Sequence, residues 1–153
     1  MKVHNFKKYK INDRRRVSAE ITWETVDRHR EKIFFEVDDK FSDDISPNPD
    51  SFFLATVFPA LYYGEKQYAI EGTVCPLLFQ GVKDVLGVFH HWYYQNKREP
   101  LKLEVETRSR ADEKTKNRKA GFFLSGGIDS YATFIDNQLL FADNHPLSYK
   151  DGV

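Results

Sequence analysis

The chain has 153 residues, room for one ordinary domain or for one domain with part of another. Its 41% hydrophobic content, with 13 Phe and 8 Tyr, is enough for a real core, and its zero net charge excludes a global field drawing it to nucleic acid or a membrane. The lone Cys75 excludes an intramolecular disulfide, the polar Met1–Arg16 segment has no signal-peptide core, and no apolar run nears the roughly 20 residues of a membrane span, so a cytoplasmic protein is expected.

Residues 1–16 carry seven Lys/Arg against Asp13, whereas residues 17–60 carry ten acids against four bases. The first stretch reads as a basic N-terminal arm, solvated and able to lie against the acidic segment that follows. It lacks stacking aromatics beyond Phe6 and Tyr9, which argues against a nucleic-acid contact. Val17–Glu24 alternates apolar and polar residues as a half-buried strand does, and Lys32–Val37 is a second strand, so a hairpin through residues 26–30 is predicted. Asp38-Asp39 and Asp43-Asp44 lack the Gly and terminal Glu of a calcium loop and read as a solvated acidic turn.

Ser46-Pro47-Asn48-Pro49-Asp50 is loop, because each proline biases its predecessor away from helix. Asp50 or Ser51 then caps a helix from Phe52 towards Tyr63, closed by Gly64. That helix is apolar nearly all round and is expected to be buried, with Pro59 kinking or splitting it. Gln67–Gly72 is a short strand. A long helix follows Pro76, with Leu78, Val82, Val85, Leu86, Phe89 and Tyr93 at helical spacing and a stop near Asn96. Leu101–Glu106 alternates strictly and makes a fourth strand. Residues 17–106 thus form an α+β domain, with a mainly antiparallel sheet and two helices.

Within that domain Cys75 reads as a small core residue at a strand–helix junction. His90 and His91 are adjacent on a helix and point about 100° apart, so they read as helix-end histidines and not as a metal pair. His4, His29 and His145 have no second ligand at metal-like spacing. The aromatic density of residues 52–63 and 89–94 reads as core or as an interface with another part of the protein.

Residues 107–118 hold no large apolar side chain and read as a charged linker. Ala120–Leu124 is then a continuous apolar run, as in a parallel strand buried on both faces. Ile128, Tyr131, Ala132, Ile135, Leu139 and Leu140 mark a helix ending around Phe141, and Asp143–Pro146 is loop. Between strand and helix, Ser125-Gly126-Gly127 lets the backbone turn tightly and expose successive N–H groups. With the first N–H groups of the helix these form a concave donor surface suited to pyrophosphate. Ser125 and Ser130 add hydroxyls, and Asp129 is placed to hold an accompanying Mg²⁺.

Ser125-Gly126-Gly127-Ile128-Asp129-Ser130, after a buried strand, resembles the SGGxDS signature of the PP-loop ATP pyrophosphatases, the adenine nucleotide alpha-hydrolase-like superfamily. Asparagine synthetases, NAD synthetases, GMP synthetases and 7-cyano-7-deazaguanine synthases belong to it. The resemblance covers residues 119–153, and implies the first βα unit of an α/β PP-loop domain that this chain does not complete. It implies that Ser125, Gly126, Gly127 and Ser130 hold the β- and γ-phosphates of ATP. Asp129 would bind magnesium, and the backbone near Phe123 and Leu124 would face adenosine. The implied activity is adenylation of a carboxylate or carbonyl, releasing pyrophosphate, ahead of amide or other C–N bond formation, with an acceptor that the residues do not identify. Glutamine-hydrolysing asparagine synthetases keep a cysteine after the initiator Met. Lys2 stands there in this chain.

Two other classes stay open: a phosphate-binding or interaction module without catalysis, and an RNA-modifying member of the superfamily using the basic arm. The strand at 122–124 and the helix at 128–141 each need apolar partners. Docking on the N-terminal sheet, or homo-oligomerisation through residues 119–141, is therefore expected.

Overall fold

The computed structural model describes residues 1–95, 97, 99–109, 120–142 and 148–152. The chain divides into two compact units, Met1–Ala111 and Asp112–Val153.

The first unit contains β1 (Lys2–Ile11), β2 (Arg14–Thr22), β3 (Glu31–Asp38), a 3₁₀ segment (Asp39–Asp44), α1 (Pro49–Tyr63), β4 (Gln67–Val74), α2 (Pro76–Tyr94) and β5 (Lys102–Thr107). The sheet order is β3-β2-β1-β4-β5. β1 pairs antiparallel with β2, and β2 with β3, whereas β1–β4 and β4–β5 are parallel. The unit is α+β, as expected, but its sheet is mixed and not mainly antiparallel. The reason is the 19-residue helix between β4 and β5, which is long enough to return the chain to the same end of the sheet.

The basic arm is a second correction, for residues 2–11 form the central strand, with Met1 and Val3 fully buried. The period-two signal fails there because the register slips between His4 and Lys7, where Asn5 has φ 58°. That bulge lets both Val3 and Phe6 reach the core side, and the Phe6 ring meets Phe52 at 5.2 Å. The basic residues do meet the acidic stretch, as pairs built into the sheet. Lys10 and Arg15 reach Asp39 at 2.5 and 2.9 Å, and Arg16 reaches Glu36 at 2.6 Å. The acidic turn is therefore partly neutralised, while Asp43 and Asp44 remain exposed.

Helix α1 begins earlier than expected, at Pro49, because Asn48 is the N-cap and its side-chain oxygen accepts from the Asp50 N–H at 3.0 Å. Asp50 instead accepts from the Cys75 N–H at 2.8 Å and from Arg108. The helix runs unbroken through Pro59 and closes at Gly64, whose φ of 89° suits glycine. Only one face is buried, through Phe52, Phe53, Thr56, Val57, Ala60 and Leu61. Leu54, Tyr62 and Tyr63 are exposed, contrary to the expectation of all-round burial, since a helix on a sheet face covers one side only. Tyr68 of β4 is fully buried against Phe53, and its hydroxyl lies 2.7 Å from the Thr56 hydroxyl, which itself donates to the Phe52 carbonyl. Helix α2 ends at Tyr94, rests Val82, Leu78, Phe79 and Leu86 on the core, and leaves Phe89, Trp92 and Tyr93 exposed.

Thr107 closes β5 and Arg108 donates to the Thr73 carbonyl at 3.1 Å, so the first residues of the expected linker belong to this unit. Linker residues 110–118 and the loop at 143–147 lie outside the described residues.

The second unit holds β6 (Ala120–Phe122), α3 (Ile128–Leu140) and β7 (Tyr149–Gly152), with β6 and β7 parallel. The strand expected at 122–124 ends at Phe122. A further strand, β7, for which the sequence analysis names no element, gives β6 one neighbour inside its own unit. Among the described residues no helix is long and apolar enough to cross a membrane.

Candidate functional site

The turn between β6 and α3 brings together the residues singled out from the sequence. Gly126 has φ 75°, a left-handed conformation that glycine takes without strain, and a Cβ added there would meet nothing within 4 Å. Its requirement is therefore backbone conformation alone. Gly127, at φ −84°, is the N-cap of α3 and has no side chain with which to bond the first-turn N–H groups. Ser125 Oγ accepts from the N–H of Gly127 itself at 3.3 Å, and no side chain caps the first turn.

The two hydroxyls lie side by side, with Ser125 Oγ donating to Ser130 Oγ at 3.3 Å and Ser130 Oγ donating to the Gly127 carbonyl at 2.8 Å. Ser125, Gly126, Gly127, Ile128 and Asp129 are exposed, and Ser130 is half-buried. The positive end of the α3 dipole, the glycine backbone and the two hydroxyls thus open on water, a donor set matched to an anionic oxygen. Asp129 sits in the first turn, where its charge also suits the dipole. Its own carbonyl accepts from Thr133 Oγ1 at 2.9 Å, a helix-internal contact that the motif does not reveal. Leu124 is 44% exposed and Phe123 87%, so the strand end leading into the loop offers apolar surface beside the donors.

No group of three His, Cys, Asp or Glu side chains able to hold a metal occurs among the described residues. Asp129 belongs to no such group, and a Mg²⁺ ion at the loop would take its carboxylate with phosphate oxygens and water completing the octahedral shell. That fits the ordinary preference of this ion.

The remaining candidates stand apart from the loop in sequence. Cys75 is half-buried at the start of α2, and His4 is bonded to Thr22 Oγ1 at 2.9 Å. His90 and His91 lie in the last turns of α2, His29 is exposed in a loop, and His145 lies outside the described residues.

The buried polar centre of the first unit escaped sequence reading. The Glu65 carboxylate, buried, accepts from the Met1 ammonium at 2.7 Å and from the N–H groups of Glu24, Thr25 and Val26 at 3.0, 3.1 and 3.3 Å. Burial by itself pushes its carboxyl up, but the ammonium and the backbone donors outweigh this and hold it below the ordinary value. The signal available was Glu65 itself, an acid placed straight after the glycine that ends a buried helix. No protein-family model, curated protein or solved structure matches the chain.

Proposed function

We propose that residues 124–130 bind the phosphates of ATP, and that the chain contributes this site to a PP-loop adenylating enzyme. The observation that carries the reading is the positive-φ Gly126 followed by an uncapped helix start at Gly127, with the Ser125 and Ser130 hydroxyls 3.3 Å apart beside it. The parallel strand–loop–helix–strand order of the second unit supports it too, because ligands of open α/β sheets gather at the carboxyl ends of the strands.

In this reading the N–H groups of Gly126, Gly127 and the first turn of α3 bind the β- and γ-phosphates, and Ser125 and Ser130 orient them. Asp129 holds magnesium, and Leu124 with Ile128 walls the loop. ATP supplies the α-phosphate that a carboxylate or carbonyl oxygen attacks, and pyrophosphate leaves. The chain's part is positioning and neutralisation of phosphate charge, which needs no side-chain nucleophile.

Calorimetric titration with pyrophosphate, with and without Mg²⁺, tests this. The expected result is magnesium-dependent binding in the parent chain and loss of the magnesium dependence in Asp129→Ala. Absence of binding at millimolar Mg-pyrophosphate, or equal magnesium dependence in both proteins, would contradict it.

A further inference from the structure

The outer edge of β3 pairs with no strand among the described residues. Its sequence, Glu31-Lys32-Ile33-Phe34-Phe35-Glu36-Val37-Asp38, is unlike that of the opposite edge, β5, whose exposed positions are Lys102, Glu104, Glu106 and Thr107, with no large apolar side chain among them. On β3, Phe34 is 49% and Phe35 40% exposed, and they point to opposite faces. Phe35 stacks edge-on to Phe52 of α1 at 5.1 Å, so its side continues the core. Phe34 lies on the open side under the Arg16 guanidinium, 3.7 Å from its ring centroid. An apolar edge of this kind is a template for another strand.

Geometry narrows which strand fits. In an antiparallel pair two opposite residues either both aim their N–H and C=O at each other or both aim them away. Across a two-fold axis, β3 can therefore meet β3 of a second copy only in registers centred on a residue. Centring on Ile33 sets Lys32 against Phe34 and Glu31 against Phe35, charge on ring in both cases. Centring on Phe35 sets Glu31 against Asp39, like against like. Centring on Phe34 sets Lys32 against Glu36 of the partner subunit and Arg30 against Asp38 of the partner subunit, each twice. Ile33 then meets the partner's Phe35 on the helix-covered side, joining the two cores, and Phe34 meets its own copy on the axis. Glu31 faces Val37 of the partner subunit, and wherever two charges meet in this register they are opposite in sign.

We propose that β3 is a dimerisation edge, with two copies of the chain pairing antiparallel about Phe34 to make one continuous ten-stranded sheet from two sheets of five strands. The surface lies wholly in the first unit and owes nothing to the phosphate loop, so the two readings stand or fall separately.

The test uses the full chain. Light scattering should give twice the chain mass of 18.0 kDa. In a Cys75→Ala background, Phe34→Cys should cross-link to its own copy on oxidation, because directly opposed Cα atoms sit about 4.5–5.5 Å apart, within disulfide reach. Phe35→Cys, which faces Ile33 of the partner subunit, should not. Phe34→Lys places like charges on the axis and should run as a monomer with an unchanged far-ultraviolet spectrum. If that variant loses its fold, the cysteine pair decides alone. Monomer mass for the parent at every concentration, a folded Phe34→Lys dimer, or equal cross-linking of both cysteine variants would overturn the proposal.

Discussion

In the first unit Met1, Val3, Phe52, Phe53, Val57 and Tyr68 have no exposed surface, whereas in the second the buried residues among those described are Asn137 and Ser148. The large apolar side chains of the second unit lie open instead: Ile128 is 84% exposed, Leu139 80% and Leu140 73%. What orders that unit is local. The Tyr149 N–H donates to Asn137 Oδ1 at 2.8 Å, and the Phe122 ring stacks on Tyr149 and Phe134 at 4.9 and 5.6 Å. One unit is held by apolar area removed from water, the other by a few directed contacts around a turn. The candidate site sits in the second, where its shape depends on glycine dihedrals and two hydroxyls and scarcely on a core.

The largest effect expected is that of a cavity in the first unit. Phe53→Ala removes a fully buried ring packed on Tyr68 and Phe79, and should cost the first unit about 3–5 kcal/mol in urea unfolding. Amide signals of residues 125–130 should stay unchanged in the same variant under native conditions. A loss below about 1 kcal/mol would mean that burial does not dominate there.

Smaller in effect is Glu65→Gln, which leaves the Met1 ammonium and three backbone N–H groups facing a neutral amide. The expected cost is about 2 kcal/mol at neutral pH. The Glu65 carboxyl is held below its ordinary 4.5 in the folded chain, so its contribution is fully present above that value. It disappears as pH falls from 4.5 through the lower folded value, because protonation then favours the unfolded chain. Stability of the parent should therefore drop in this acid window, and the gap to Glu65→Gln should narrow. A gap that stays constant as the pH falls below 4.5 would contradict the assignment.

Much of this was legible in the sequence, and the failures have causes. Strands 17–24 and 101–106 and the helix after Pro76 announce themselves by period, strand 32–37 by its β-forming residues, and the helix before Gly64 by its cap signals and apolar run. β1 does not, because the bulge at Asn5 shifts its parity and Lys10 finds its acid, Asp39, far along the chain. The mixed pairing was available in the strand–helix–strand order of residues 67–106, since a connection of that length favours a parallel return. The Asn48 cap was obscured by Asp50, equally suited to capping but engaged elsewhere. In the second unit, β7 carries no alternation that marks it, as Tyr149-Lys150-Asp151-Gly152 reads like loop. At the loop residues 125–130 lie together because they are one short continuous segment that needs no long-range packing, whereas the Thr133 bond to the Asp129 carbonyl carries no signal in the motif.

The smallest effect separates the two loop glycines. Gly126→Ala forces a left-handed dihedral on a residue with a Cβ and should cost about 1 kcal/mol, read as a changed loop conformation and weaker pyrophosphate binding. Gly127→Ala should be tolerated, with its Cβ 3.5 Å from Ser125 Oγ, an ordinary contact, and φ in an allowed region. Equal effects of the two would show that backbone conformation is not what the turn requires.

If this turn, and not the packed unit, receives phosphate, Mg-ATP should alter the loop amides, and amide mapping reads them residue by residue. The positive-φ glycines Gly64 and Gly72 of the first unit serve as internal controls for the turn. The account predicts shifts or broadening at Gly126, Gly127 and Ser130, reproduced by Mg-pyrophosphate, reduced in Asp129→Ala and absent at Gly64 and Gly72. Unchanged loop amides at millimolar nucleotide, or changes confined to the first unit, would contradict it.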